Sequence, residues 1–322
     1  LVGEERFLLW AVCSIQLQVF CGNGGEKLLL LAEGLLKKHV ASHGLHEPDA
    51  LIVYLSILEQ QAKFGDALEI LSGNLGSLLM IEVDKLRIQG RLLSRAGDHA
   101  AAAAIFKKIL ETCPDDWMSF LHYLGCLLED DSLCCAEAVK DPVHPSKFIS
   151  CKVSHLTDEE FDGQVSNALD FVQKLQADPV NNSLRGPYLA AIEVERRKHL
   201  RGKGNDDSLM DAIVQYFCRF GHLSCFTSDV EMFIEVFNPV KKIELLEKLK
   251  EYSDSLTTLP VKNLGQTFSF FKIQQLLMGD MFESSASELE VCCAQMAEIY
   301  CKSVAFSKDL DPQESMQVIL AH

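Results

Sequence analysis

The chain has 322 residues, 48% of them hydrophobic, and a formal charge of −16, so it is long enough to bury one elongated core or two compact ones. That acidic balance opposes wholesale binding of nucleic acid or an anionic membrane and leaves room only for a local basic patch. With 9 prolines and 19 glycines, and no alternating polar–apolar run of useful length, the expected fold class is all-α.

In chain order, residues 7–21, "FLLWAVCSIQLQVFC", form the first apolar run. Glu4 and Glu5 precede it where a signal peptide would carry basic residues, and Gln16 and Gln18 interrupt it. A membrane span needs roughly 20 apolar residues, so the expectation is a buried helix and no membrane contact. Leu1, standing where a methionine is usual, is expected of a fragment. "CGNGG" at 21–25 lacks the Lys-Ser/Thr of a phosphate loop and reads as a turn between helices. His39, His43 and His46 form a possible metal trio, of which His39 and His43 are one helical turn apart, a spacing that can offer two imidazoles to zinc. Gly44 and Pro48 end the helix there, however, and no carboxylate or cysteine is obviously paired with the histidines. They are expected to face the carbonyls of a helix end, and no metal is expected.

The next elements repeat. The tetratricopeptide unit is a helix pair of 34 residues with W-x2-L-G-x2-Y, then A-x3-F, then P at fixed offsets. Gly90, Ala102, Phe106 and Pro114 fall at the small-residue, alanine, phenylalanine and proline positions. "AGDH" supplies the turn, with Gly97 placed for a left-handed helix stop. Leu86, Gln89 and Leu93 replace the tryptophan, leucine and tyrosine. Upstream, Leu51, Tyr54, Leu55 and Leu58 occupy first-helix positions, Ala67 and Leu71 repeat A-x3-F, and "KFGDA" repeats the turn chemistry of "GDHAA". Downstream, Phe120, Tyr123, Leu124 and Leu127 begin a further unit, which Pro142 and Pro145 break. The alanines at 100–104 suit a second helix packed closely between its own partner and the next repeat. The architecture expected is a right-handed superhelix of helix pairs, with tetratricopeptide-like repeats over 1–140 and degenerate helical repeats over 141–322.

Beyond the repeats, Thr157 and Glu160 form a capping box opening a helix with Phe161, Val165, Ala168, Leu169, Val172 and Leu175 on one face. Pro187 stands near the start of another, carrying Tyr188, Ile192 and Val194. Leu209, Ile213, Val214 and Phe217 mark a third face, and Val230, Phe233, Ile234 and Phe237 a fourth. "KIELLEKLKEY" reads as a short amphipathic helix, and a last long helix is expected from Ser287 to Ser307.

Catalytic chemistry finds little support. None of the 12 cysteines forms a Cys-x-x-Cys pair, and adjacent Cys134/Cys135 and Cys292/Cys293 are poorly placed to bridge. Cys218, Cys225 and Cys301 fit reduced thiols on apolar helix faces, which points to the cytosol. "HLRGKGND" has two glycines in the manner of an acetyl-CoA loop, but His199 stands where Gln or Arg is required and no strand precedes it. No Ser-His-Asp or Cys-His order is defensible, so neither an enzyme nor a resident cofactor is expected. The basic run Arg196, Arg197, Lys198, Arg201 and Lys203 opposes the acidic background. It is read either as a solvated helix end or as a contact for an acidic protein surface or ribosomal RNA.

Five longer strings carry a resemblance: "LEILSGNLGSLLMIEVDKLRIQGRLL", "CPDDWMSFLHYLGCLLEDD", "LRGPYLAAIEVERRK", "FGHLSCFTSDVEMFI" and "SKDLDPQES". From about Leu51 to Ser315 the chain resembles the auxiliary subunits of N-terminal acetyltransferase B, most of all those of plants. "PDDW" and "RGPYLA" are the most specific strings, because no generic tetratricopeptide unit requires them. The resemblance implies a non-catalytic α-solenoid in the cytoplasm that holds the catalytic subunit, which itself carries acetyl-CoA. It further implies action at the ribosome on nascent chains beginning Met-Asp, Met-Glu, Met-Asn or Met-Gln. Members of that family are much longer than this chain. Tyr188, Glu193, Arg196 and Arg197 are the candidate partner contacts, from the specificity of their string, with packing between repeats as the alternative. A different function class, a tetratricopeptide adaptor clamping a chaperone or other peptide by its carboxylate, needs Lys and Asn on the first helices. Here the corresponding groove positions hold Arg91 and Gly125.

Overall fold

The computed structural model describes residues 2–21, 25–129, 156–223, 225–255 and 273, and every regular element among them is helical. The chain divides into two compact units, Leu1–Ser166 and Asn167–His322. The expected helix from Ser287 to Ser307, the adjacent cysteine pairs and Cys301 lie outside the described residues, as do Gly22, Asn23 and Gly24.

The first unit contains α1 (Val2–Phe20), α2 (Glu26–His43), α3 (Pro48–Gln60), α4 (Phe64–Ser72), a 3-10 turn (Asn74–Leu78), α5 (Glu82–Ala96), α6 (His99–Thr112) and α7 (Trp117–Leu127). Each of these helices packs on the next along the chain, and α1 also touches α3, as α5 touches α7. Contacts that run from neighbour to neighbour are those of a tetratricopeptide-like solenoid. Its core is one apolar cluster threaded through successive pairs: Ala32 and Leu36 of α2, Leu51, Leu55 and Leu58 of α3, Ala67 and Leu71 of α4, and Leu92 of α5.

The α5–α6 pair shows why small residues sit where they do. A Cβ added at Gly90 would lie 2.8 Å from the ring of Phe106, so the ring occupies the space a side chain would take. Ala102, Ala103, Phe106, Ile109 and Leu110 are all buried on the facing side of α6. Between the helices Gly97 adopts φ 88°, while Asp98 N–H donates to Leu93 O at 3.0 Å and Gly97 N–H to Ser94 O at 3.1 Å. This is a Schellman stop.

The α3–α4 turn has the same hydrogen bonds with a different residue in the left-handed position. Lys63 N–H donates to Leu58 O at 2.9 Å and Ala62 N–H to Glu59 O at 3.1 Å, and Ala62 itself has φ 56°. The repeated turn chemistry expected of "KFGDA" and "GDHAA" is thus present in the hydrogen bonds but not in the residue that turns. Gly65 lies inside α4, and Ala62 takes the part that Gly97 plays one repeat later.

A correction concerns α1. The helix forms, but it is not buried: Phe7, Trp10 and Leu17 are 79%, 75% and 63% exposed, while Val12 is wholly buried. Residues 7, 10 and 17 fall on one side of a helix and 12 on the other. Only the Val12 side meets α2 and α3, so an apolar sequence with one packed face leaves its other apolar face outward.

In the second unit, α8 (Asp158–Ala177) carries the chain past Ser166. Its start is a reciprocal capping box: Thr157 N–H donates to Glu160 Oε2 at 2.9 Å, and Glu160 N–H to Thr157 Oγ1 at 3.3 Å. A 3-10 turn (Pro179–Asn181) leads to α9 (Gly186–Leu200), α10 (Asp206–Phe220), α11 (Phe226–Ile234) and α12 (Pro239–Ser255). Helix α9 packs on α10 and α11, and α10 on α11 and α12. The interior is aromatic, with Tyr216, Phe217, Phe226 and Phe233 fully buried. Tyr216 stacks on Phe226 at 5.6 Å between ring centres, and Phe217 meets the same ring edge-on at 5.3 Å. Such pairs add about 0.5–1.5 kcal/mol beyond the burial of their area.

Candidate interaction surface

The strings that distinguish this chain from a generic repeat both hold an arginine against an aspartate on another helix. In "PDDW", Asp116 caps α7, accepting from Ser119 N at 3.2 Å and Ser119 Oγ at 2.6 Å. The same carboxylate receives Arg87 of α5 through Nε at 2.9 Å and Nη2 at 2.7 Å. Burial alone would raise the Asp116 carboxyl, but the hydrogen bonds from Ser119 and Arg87 outweigh it and hold it below the ordinary value. In "LRGPYLA", Arg185 at the head of α9 donates to Asp229 of α11 and, at 2.8 Å, to Cys225 Sγ. Tyr216 OH donates to the same Asp229 oxygen at 2.6 Å. Burial and the neighbouring Asp229 push the Tyr216 hydroxyl far above the ordinary phenol range. Burial likewise pushes the Cys225 thiol up, helped by Asp229, so this cysteine is a packed thiol and a poor nucleophile.

Helix α9 holds the four candidate contacts. Glu193 is 0% exposed, and its two oxygens receive Arg196 Nε and Nη2 at 2.7 Å and Arg197 Nε at 2.7 Å. Tyr188 is buried beneath α10, its ring edge-on to Phe220 at 5.4 Å and covered by the Arg219 guanidinium at 4.8 Å. These four residues therefore build the helix and its seat on α10 from inside, with Arg196 and Arg197 reaching solvent over 17% and 10% of their side chains. Lys198 of the basic run and its neighbour His199 also have acids beside them. Lys198 lies 2.9 Å from Glu195 and His199 3.0 Å from Asp206. "HLRGKGND" joins α9 to α10 with a helix on either side.

In the first unit a buried or half-buried carboxylate stands at each of three junctions between helices. Glu33 of α2 receives Lys37 at 2.6 Å and also Lys63 from the α3–α4 turn. Glu59 of α3 receives Arg91 and Arg95 of α5 at 3.2 and 3.0 Å, and Asp116 of α7 receives Arg87. The bases that cross between elements lie 29 to 36 residues from their acids along the chain, about one tetratricopeptide period. Sequence reading misses these pairs because nothing local marks them. An acid and a base separated by about one repeat length are the signal that would have found them.

The histidines at the end of α2 need a correction. His39 and His43 stack at 5.2 Å, but His46 does have a carboxylate beside it. Glu5 of α1, buried, accepts the backbone N–H groups of His46 and Glu47 at 3.1 Å each and lies 3.5 Å from His46 Nδ1. Burial raises the Glu5 carboxyl, yet those two N–H donors and the nearby His46 bring it below the ordinary value. Glu5 thus staples the start of α1 to the α2–α3 connection. Among the described residues no group of three or more His, Cys, Asp or Glu is placed to hold a metal ion, and no helix is long and apolar enough to cross a membrane.

Known proteins match both halves of the chain. Residues 1–110 match the family described as Psidin, N-terminal TPR repeats region, and residues 117–318 match the N-acetyltransferase B complex (NatB) non catalytic subunit. The chain is 60% identical, over 98% of its length and 30% of the relative's, to the N-terminal acetyltransferase B complex auxiliary subunit of Arabidopsis thaliana. It is 28% identical to the phagocyte signaling-impaired protein of Aedes aegypti, over 74% of this chain and 24% of that one. It is 24% identical to the human NatB auxiliary subunit, over 77% of this chain and 25% of that one. The chain thus spans a third or less of the length of these relatives. With a helix-pair solenoid across residues 2–129, and a match to one family over most of the remainder, the chain belongs to the family of non-catalytic subunits of the N-acetyltransferase B complex.

Proposed function

We propose that this chain is a protein-holding part of N-terminal acetyltransferase B: a cytoplasmic helical scaffold that binds the catalytic subunit and positions it over nascent chains at the ribosome. The substrates are chains beginning Met-Asp, Met-Glu, Met-Asn or Met-Gln, and acetyl-CoA sits on the catalytic partner. The observation that carries the reading is the 60% identity with a NatB auxiliary subunit along 98% of this chain. The stacked helix pairs supply the means, since solenoids present long continuous faces to other proteins. Within that complex Tyr188, Glu193, Arg196 and Arg197 act as partner-binding residues through the surface of α9. Glu193 acts from beneath, by fixing the two guanidiniums.

Co-expression of the full-length protein with the acetyltransferase B catalytic subunit tests the reading. The two proteins are expected to co-purify and to acetylate a Met-Asp peptide. A full-length protein that leaves the catalytic subunit in the flow-through would overturn it. Arg196→Glu with Arg197→Glu is expected to weaken co-purification. Unchanged retention on the column would remove α9 from the interface.

A further inference from the structure

The first-helix face of a tetratricopeptide array is where such proteins clamp an acidic peptide or a chain-terminal carboxylate. In the first unit that face carries a row of cations: Arg87, Arg91 and Arg95, one turn apart along α5. Ser56 of α3 and Arg91 of α5 stand at the same place before Ala67 and Ala102, so they are equivalent positions of successive repeats. The row is half-open to solvent, with Arg91 and Arg95 38% and 46% exposed.

Every one of these cations already holds an acid from the chain itself. Glu59, 7% exposed, accepts Arg91 Nε at 3.2 Å and Nη2 at 3.3 Å, and Arg95 Nη1 at 3.0 Å. The two-pronged approach of Arg91 is the geometry a guanidinium uses for a free carboxylate. Arg87 is held by Asp84 at 2.7 Å and by Asp116. Ser56, the equivalent position on α3, is engaged by Gln16 of α1 at 3.2 Å.

We propose that the first unit contains an anion clamp occupied from within: Glu59 fills, as an intramolecular stand-in, the place of a peptide carboxylate between Arg91 and Arg95. The clamp is closed to acidic peptides in the native protein. Removal of Glu59 opens it, because the two arginines are exposed enough to stay charged and hydrated without their partner. The arrangement gives a physical reason why a solenoid of this type is not a carboxylate-reading adaptor, and it is independent of what binds elsewhere on the chain.

The test is fluorescence anisotropy of a fluorescein-labelled hexapeptide of alternating alanine and glutamate with a free C-terminal carboxylate, titrated with full-length protein. The wild type is expected to give no saturable signal up to about 1 mM. Glu59→Ala is expected to bind at least about tenfold more tightly than the wild type, roughly the worth of one charge-assisted hydrogen bond. That gain should weaken with added salt and vanish in the variant that also carries Arg91→Gln and Arg95→Gln. Two results would overturn the proposal: wild-type binding that Arg91→Gln abolishes, or Glu59→Ala with an unchanged circular dichroism spectrum and no gain. Should Glu59→Ala fail to fold, Glu59→Gln keeps the side chain's volume and one acceptor. It is expected to gain affinity in the same direction, and its failure to do so counts equally against the clamp.

Discussion

The two units satisfy their most enclosed acids in different ways. In the first, Glu33, Glu59 and Asp116 reach across repeat junctions to bases about one repeat away. In the second, the wholly buried Glu193 is satisfied by Arg196 and Arg197 of its own helix, three and four residues on. Charges that join separate helix pairs fix the register of a modular stack. A charge closed within one helix fixes only that helix, so the fit of large rings, with the Arg185–Asp229 pair, decides how the second unit's helices meet. The first unit thus ties its helix pairs mainly by charge, and the second mainly by rings, with Arg185–Asp229 as a pair that crosses between its helices.

Substitutions that attack each rule separately put this contrast at risk. The largest effect is expected at Phe226, fully buried between Tyr216 and Phe217. Phe226→Ala should cost about 3–5 kcal/mol, read as the loss of amide protection in α10 and α11. Protection that survives there would mean the rings are not what holds these helices. Almost as large is Glu193→Ala, at about 3–5 kcal/mol, because it takes the shared buried acid from two guanidiniums that are only 17% and 10% exposed. Glu59→Ala removes an equally buried acid but leaves arginines that reach water, so no more than about 1 kcal/mol is expected. Equal losses in urea denaturation for these two variants would erase the distinction between the units.

Next comes Gly90→Ala, which drives a methyl to within 2.8 Å of the Phe106 ring. It is expected to destabilise the α5–α6 pair by about 1–3 kcal/mol. A co-crystal or exchange map showing Phe106 undisplaced at full stability would argue against close packing as the reason for the glycine.

A smaller effect is tied to pH. The Asp116 and Glu33 carboxyls sit below their ordinary value in the folded chain: burial raises each, and the hydrogen bonds and charges of their partners outweigh it. Their contribution is complete above the unfolded value of about 4 and is lost as pH falls through the lowered folded value. The first unit should therefore loosen on acidification below about pH 4, and Asp116→Asn should flatten that slope at a cost of about 1 kcal/mol at neutral pH. An acid limb unchanged in Asp116→Asn would show that the capping acid is not the group being titrated.

How much of this was legible beforehand depends on range. The α5–α6 pair follows from residues within a single helix–turn–helix, where the spacing of Gly90, Ala102 and Phe106 already implies two close helices. The Thr157–Glu160 box is equally local. Ala62 was not legible, because an alanine at positive φ has no sequence signature and Gly65 nearby draws attention to itself. The apolar letters of α1 gave a helix but not the number of faces that find neighbours, so the exposure of Phe7 and Trp10 stayed hidden. Nor does composition point to a wholly buried glutamate, since Glu is among the residues least often found inside. Glu193 is readable only when Arg196 and Arg197 are seen as its ligands.

The left-handed alanine at position 62 has a consequence for timing. The α3–α4 and α5–α6 turns are closed by the same pair of hydrogen bonds, yet one is built on an L-residue at φ 56° and the other on glycine at φ 88°. An L-residue held there carries about 1–2 kcal/mol that glycine does not. When the solenoid breathes, the earlier turn should therefore unlatch first: in heavy water the Lys63 amide should take up deuterium roughly fivefold to thirtyfold sooner than that of Asp98. Ala62→Gly should bring the two clocks together.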